Sequence, residues 1–204
     1  MSKVALLFSG GPDSTSLLYD LLDQGHEVIT FTFNAGEFEA EAERRHAKAT
    51  AEKLGVENHF VDILPTLQAL YNDSAPVVMR KVVFNTVKPF GSGIAIALAA
   101  SAAICKGAEK LYYAVHKGDS YPDNKPQYFE LLSKAITMEQ GGKKFEVVAP
   151  YLEMSKAEVM QRGIDLGMDV DATWSCAVSS SAECGACEPC KDRVEAKRLI
   201  KVPA

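Results

Sequence analysis

The spacing of apolar positions changes several times along the chain, and each change marks an element. Val4 to Phe8 is a continuous apolar run, as in a parallel strand covered on both faces. Ser9 to Ser14, built around Gly10-Gly11-Pro12, is a turn. Thr15 to Leu22 then reads as a helix, because Leu17, Leu18, Leu21 and Leu22 share a face and Gly25 follows. Val28 to Phe33 alternates and is rich in β-formers, which predicts a second strand. Phe38 to Leu54 reads as a helix of Ala, Glu, Arg and Lys, stopped by Gly55. Phe60 to Ile63 predicts a short third strand. Leu64 to Pro89 carries Pro65, Pro76 and Pro89 and is expected to be irregular, a loop long enough to suggest a function.

The second half continues the alternation. Ile94 to Lys106 is apolar all round, which predicts a buried helix with Cys105 in the core. Leu111 to Val115 is the fourth strand, Gly118 to Pro126 a polar loop, Gln127 to Met138 a helix, and Phe145 to Ala149 the fifth strand. Ser155 to Leu166 is a helix with Ser155 and Glu158 spaced as a capping box. Strands and helices alternating at these intervals predict a Rossmann-like, doubly wound parallel α/β sheet. One domain is expected over residues 1–204.

Composition narrows the class. Apolar residues are 47% and charged residues 24%, as in a globular protein. The most apolar stretch, Ile94 to Cys105, is shorter than the about 20 residues of a membrane span. The start runs directly into a strand, unlike a signal peptide, so a cytoplasmic location without membrane is expected. The net charge of −5 argues against a surface that wraps a large nucleic acid.

Two segments carry chemistry. In Ser9-Gly10-Gly11-Pro12-Asp13-Ser14 the glycines let the backbone approach an anion, and Pro12 suits the first helical position. The first-turn N–H groups and the helix dipole then favour phosphate. Ser9 and Ser14 add hydroxyls, and Asp13 fits ordering of the loop or holding Mg²⁺. Neither Gly-Lys-Ser/Thr nor Gly-x-Gly-x-x-Gly is present; the segment matches a PP-loop, which serves cleavage of ATP between its α and β phosphates. Alternatively it is a tight turn without a ligand. The second segment, about residues 174–193, holds Cys176, Cys184, Cys187 and Cys190, spaced for a tetrahedral, structural zinc. Redox Cys-x-x-Cys chemistry and an iron–sulfur cluster are the alternatives.

Together these segments resemble the 7-cyano-7-deazaguanine synthase family of the PP-loop ATP pyrophosphatase group, with its adenine nucleotide alpha hydrolase-like fold. The family's T-W-S-C and C-G-x-C-x-x-C-x-x-R appear as Thr173-Trp174-Ser175-Cys176 and Cys184-Gly185-Ala186-Cys187-Glu188-Pro189-Cys190-Lys191-Asp192-Arg193. Its Y-P-D and T-K-A-E-I appear as Tyr121-Pro122-Asp123 and Ser155-Lys156-Ala157-Glu158-Val159. The resemblance implies adenylation of 7-carboxy-7-deazaguanine, displacement of AMP by ammonia, and dehydration of the amide to the nitrile preQ0, in queuosine biosynthesis. It implies ATP with Mg²⁺ on residues 9–14, Asp13, Ser14, Lys156 and Asp123 in catalysis, Tyr121, Asp123 and Trp174 against the deazapurine, and a homodimer. Lys156 read blandly is a solvated helix lysine, Tyr121 and Asp123 a turn, and Trp174 core packing. Lys191, Arg193, Lys197 and Arg198 read as a solvated basic face of the last helix.

The chain departs from the family pattern at three places. Lys88-Pro89-Phe90-Gly91-Ser92-Gly93 replaces V-P-G-R-N, Ala35-Gly36-Glu37-Phe38-Glu39 replaces a Y-G-Q-R-H-like stretch, and Tyr121-Pro122-Asp123-Asn124-Lys125 stands for Y-P-D-C-R. Three other readings therefore stand beside the synthase. The first is a relative that stops at the amide, or joins the activated deazapurine to another amine, even a protein. The second is a PP-loop tRNA-modifying enzyme, and the third a nucleotide-binding or zinc-stabilised module.

Overall fold

In a computed structural model of the protein, the described residues are 2–71, 91–119, 121 and 123–201. Pro76, Pro89, Pro122 and the Lys88–Phe90 part of the first departure lie outside them. The elements in chain order are β1 (Lys3–Leu7), α1 (Pro12–Asp23), β2 (Glu27–Asn34), α2 (Ala40–Leu54), β3 (Glu57–Asp62), α3 (Leu64–Tyr71), α4 (Gly91–Cys105), β4 (Lys110–Tyr112), α5 (Pro126–Glu139), β5 (Glu146–Val148), α6 (Lys156–Asp165) and α7 (Glu188–Leu199), with a 3₁₀ turn at Val170–Ala172. The five strands form one sheet in the order β3-β2-β1-β4-β5. Every pairing is parallel.

Alternation along β1 sorts the two layers. Val4 and Leu6 face α1, α2 and α6, where Leu17, Leu18, Leu21, Ala47 and Val159 pack. Ala5 and Leu7 face α4 and α5, packing with Ile96, Ala99, Ala103 and Phe129. The central strand is therefore apolar at every position from Val4 to Leu7, as its unbroken run requires. β1 lies between β2 and β4: the chain builds outward from β1 through β2 to β3, then returns to place β4 and β5 on the other side of β1. A crevice opens at such a switch point, outside the carboxyl ends of the strands.

Several expectations are corrected. Residues 64–71 form a helix, with Leu67 buried against Ala35 and Ile63. The Asp62 carboxylate accepts the Leu64 N–H at 3.1 Å and caps it, and Pro65 sits in the first turn, where a missing N–H costs nothing. α4 is not buried on all sides: it covers the sheet as an outer layer, which leaves Leu98 and Cys105 exposed. β3 begins three residues before Phe60. Glu57, Asn58 and His59 hide the strand from an apolar pattern because β3 is an edge, paired only with β2. Ser155 caps the start of α6 as predicted, with both halves of the capping box formed.

Arg193 is not on a solvated face; it is buried. Its guanidinium donates to the Thr173 carbonyl at 3.0 Å, the Ser175 hydroxyl at 3.1 Å and the Val170 carbonyl at 2.7 Å. A buried arginine with this many acceptors fastens α7 to the segment before the cysteines. No helix among the described residues is long and apolar enough to cross a membrane.

Candidate active site

The Ser9–Ser14 loop leaves β1 and opens α1. Gly11 caps the helix with no side-chain hydrogen bond to its first turn, and Pro12 begins it. The first-turn N–H groups are thus left for a ligand rather than for a capping side chain. The loop is braced from within: Ser9 and Ser14 hydroxyls lie 3.2 Å apart, and the Gly11 N–H donates to Ser9 Oγ at 3.2 Å.

Gly10 serves a purpose the motif does not announce. Its φ is +75°, and a Cβ there would lie 2.5 Å from the Ala47 backbone nitrogen. The close approach it permits is to the backbone of α2. The Gly10 carbonyl also accepts the Trp174 N–H at 3.1 Å. The phosphate loop is seated between α2 and the strand of chain that leads to the cysteines.

A cavity of about 320 Å³ lies over the carboxyl ends of β1, β2 and β4. Ser9, Gly11, Asp13 and Ser14 form one wall; Glu37, Glu39 and Glu43 form the α2 side; Tyr113, Asp119 and Tyr121 form the β4 side. Burial raises Glu37 above the ordinary carboxylate range. Burial, with the charges of Glu39 and Glu37, raises Glu43 well above it. Burial also raises the Tyr121 phenol, so that side chain is neutral near pH 7.

Lys156, at the start of α6, forms an ion pair with Asp13 Oδ2 across the loop. The other Asp13 oxygen is buried with no hydrogen-bond partner. An orphaned carboxylate oxygen beside a phosphate loop suits a hard cation such as Mg²⁺. Asp123 does not line the cavity. It is hydrogen-bonded to Ser92, whose hydroxyl is 3.0 Å from Tyr128 Oη. Ser92 belongs to the Gly91-Ser92-Gly93 stretch that departs from the family pattern.

Trp174 also lies away from the cavity lining. It packs with Ala42, Cys176 and Cys190, and its indole N–H donates to the Cys176 carbonyl at 2.9 Å. The His46 ring lies against it, at a centroid distance of 5.6 Å.

The four cysteine sulfurs all lie within 4.8 Å of one another. Four thiolates around one zinc at about 2.3 Å would sit about 3.8 Å apart, so the set fits a tetrahedral ion after a small contraction. Backbone N–H groups of Ala186 and Cys187 bring the Cys184 thiol down to about 6, which favours the ligating thiolate. Cys190, by contrast, is buried, which pushes its thiol up to about 12. A cation at the centre would reverse that cost.

The motifs point to the loop, to Lys156 and to the four cysteines. Glu43, Tyr113, His116 and Asp119 come from stretches with no motif among them. The one cue is position, since Asp119 follows a strand that ends at the switch point.

Among solved structures, NMN synthetase from Francisella tularensis superposes with a TM-score of 0.62 at 13% identity, over 100% of this chain and 79% of that one. The U34-tRNA thiolase NcsA from Methanococcus maripaludis superposes with a TM-score of 0.55 at 19% identity, over 97% and 65%. At such identities these matches establish the shared PP-loop fold. The 7-cyano-7-deazaguanine synthases of Caldicellulosiruptor saccharolyticus and Methanoregula boonei are 34% and 36% identical. The alignments cover 98% and 96% of this chain, and 92% and 94% of theirs. The family model described as "Queuosine biosynthesis protein QueC" matches residues 3–200, and the chain belongs to that family, the 7-cyano-7-deazaguanine synthases.

Proposed function

We propose that this protein uses ATP to convert 7-carboxy-7-deazaguanine, with ammonia, into the nitrile 7-cyano-7-deazaguanine. The observation that carries this reading is the uncapped start of α1, opening with Asp13 onto the cavity that Tyr121 and Asp119 also line.

A carboxylate is a poor electrophile, so the chemistry needs a leaving group. A carboxylate oxygen attacks the α-phosphorus of ATP, the bond to the β-phosphate oxygen breaks, and pyrophosphate departs. Ammonia then attacks the acyl carbon and AMP leaves, giving the amide and releasing a proton. The amide oxygen is adenylated by a second ATP, and loss of AMP and the N–H protons leaves the nitrile. First-turn N–H groups of α1, with Ser9 and Ser14, hold the phosphate oxygens. Lys156 offsets the charge that gathers on them, and Asp13 keeps Lys156 in place. Mg²⁺, when bound, would supply charge neutralisation at the phosphate oxygens, and the orphaned Asp13 oxygen would help hold it. Zinc held by Cys176, Cys184, Cys187 and Cys190 would be structural, since four thiolates leave no open position.

A second reading is favoured by one observation, the carboxylates on the α2 side. Glu37 and Glu39 stand where the family pattern carries Q-R-H, and Glu43 lies beside them. An acidic wall suits an amine nucleophile larger than ammonia, such as a protein amine, with an amide-linked conjugate as product. Product mass separates the two readings: nitrile with ammonia supplied alone supports the first, and conversion only with an added primary amine supports the second. A homodimer, expected from the resemblance, is checked by light scattering on the purified protein.

A further inference from the structure

We infer that Asp119, held by His116, is the specificity-determining residue that reads the 2-aminopyrimidinone edge of the deazapurine, with Tyr121 beside it as the flat apolar contact. This rests on the proposed function and names the recognition element of that same site.

His116 is buried at the carboxyl end of β4. The Gly118 N–H donates to His116 Nδ1 at 3.0 Å. A backbone N–H can only donate, so in the neutral ring the proton is on Nε2. That nitrogen faces Asp119 Oδ1 at 3.7 Å, while the His116 backbone N–H donates to Asp119 Oδ2 at 2.9 Å. Asp119 is therefore held from behind by the His116 backbone N–H, with the His116 ring backing its other oxygen at a longer, ion-pair distance.

Gly118 is needed for this arrangement, because a Cβ there would lie 2.9 Å from His116 Cε1. The Asp119 carbonyl is also occupied, accepting the Tyr121 N–H at 2.9 Å and the Asn124 side-chain amide at 3.0 Å. Backbone and side chain together fix a carboxylate that remains about one-third exposed and lines the cavity.

A guanine-type edge presents two adjacent donors, the ring N1–H and the 2-amino group. An ionised carboxylate is acceptor-only and takes both. An adenine-type edge places a ring lone pair there instead, so the adenine of ATP is refused at this position. Asp123, the aspartate that the family motif brings forward, is engaged by Ser92 and lies off the cavity lining. The Glu37, Glu39 and Glu43 carboxylates crowd one another on the α2 side of the cavity. Asp119 is the anchored carboxylate that has Tyr113 and Tyr121 as neighbours in the cavity wall.

The test uses full-length wild type, Asp119→Asn, His116→Ala and His116→Gln, each assayed for AMP formation with the acid and with its analogue lacking the 2-amino group. Calorimetry measures binding of 7-deazaguanine itself, which carries the edge without the reacting carboxylate. The amide that Asp119→Asn introduces would present a donor to a donor. The expected result is a KM for the acid raised about 100-fold in Asp119→Asn, with KM for ATP unchanged. Preference for the 2-amino compound should fall toward one. His116→Ala should raise the same KM about 10-fold, and His116→Gln, which keeps an N–H donor, should recover part of it. Wild-type affinity and preference in Asp119→Asn, or equal losses in both KM values, overturn the inference while wild-type turnover leaves the function standing. If wild type forms no AMP with the acid, the proposed function fails, and calorimetry still decides: 7-deazaguanine binding weakened about 10-fold or more in Asp119→Asn supports the edge assignment. Equal binding, or none by wild type, refutes it.

Discussion

The phosphate wall and the opposite walls of the cavity are built by different means. The loop wall is almost entirely backbone: a strand end, two glycines, a proline and a helix start within six residues. The facing walls are side chains delivered by the start of α2, the end of β4 and the loop after it. The first kind of wall tolerates little change, because its shape is its function. The second can be rewritten one side chain at a time. In this chain the loop matches the family pattern, while Glu37, Phe38, Glu39, Ser92 and Gly93 do not. On the proposed function, the loop that would hold ATP is fixed by geometry, and the walls that would face the acceptor are free to diverge.

That contrast breaks most sharply at Gly10. Gly10→Ala imposes a positive φ on a residue with a Cβ and drives it into the α2 backbone. A loss of about 4 kcal/mol in folding stability is expected, measured by urea unfolding, together with loss of ATP-dependent AMP formation. Lys156→Met is next. It removes the cation beside the loop, and AMP formation should fall about 100- to 1000-fold in a quenched-flow assay. Stability should fall by about 2 kcal/mol or less, because the pair is partly solvated.

The third prediction concerns the coupling of loop and cysteines. Trp174 bonds to Gly10 on one side and to Cys176 on the other. Removing the metal with a chelator should shift the emission of this single tryptophan to the red and weaken ATP binding about 10-fold. Unchanged emission in metal-free protein would show that the two regions are independent.

The smallest effect belongs to Glu43. Its folded-state carboxyl is raised, so the folded protein holds a proton that the unfolded chain has released. Stability is then lost as pH rises above the ordinary 4.5. Glu43→Gln should therefore be the more stable protein at about pH 7–8 by about 1 kcal/mol, and the gain should vanish near about pH 4.5. A gain independent of pH would place its cause elsewhere.

What is legible in the sequence follows the same division. The five strands, the parallel sheet, the loop and the four cysteines can be read because each depends on neighbours in the chain. β3 reads short because an edge strand can carry Glu57, Asn58 and His59. The helix at 64–71 is hidden by Pro65, which fits a first turn as well as a loop. Pattern alone misplaces Arg193 because its acceptors at Val170, Thr173 and Ser175 are some 20 residues away. Asp119 escapes a sequence reading for the same reason: the role proposed for it depends on a buried histidine and on walls from distant elements.

The most direct measurement is product analysis after incubating the protein with ATP, Mg²⁺, ammonium and 7-carboxy-7-deazaguanine. The expected result is the nitrile, with two AMP and two pyrophosphate formed for each molecule of product. No AMP above the level formed without the deazapurine would contradict the account.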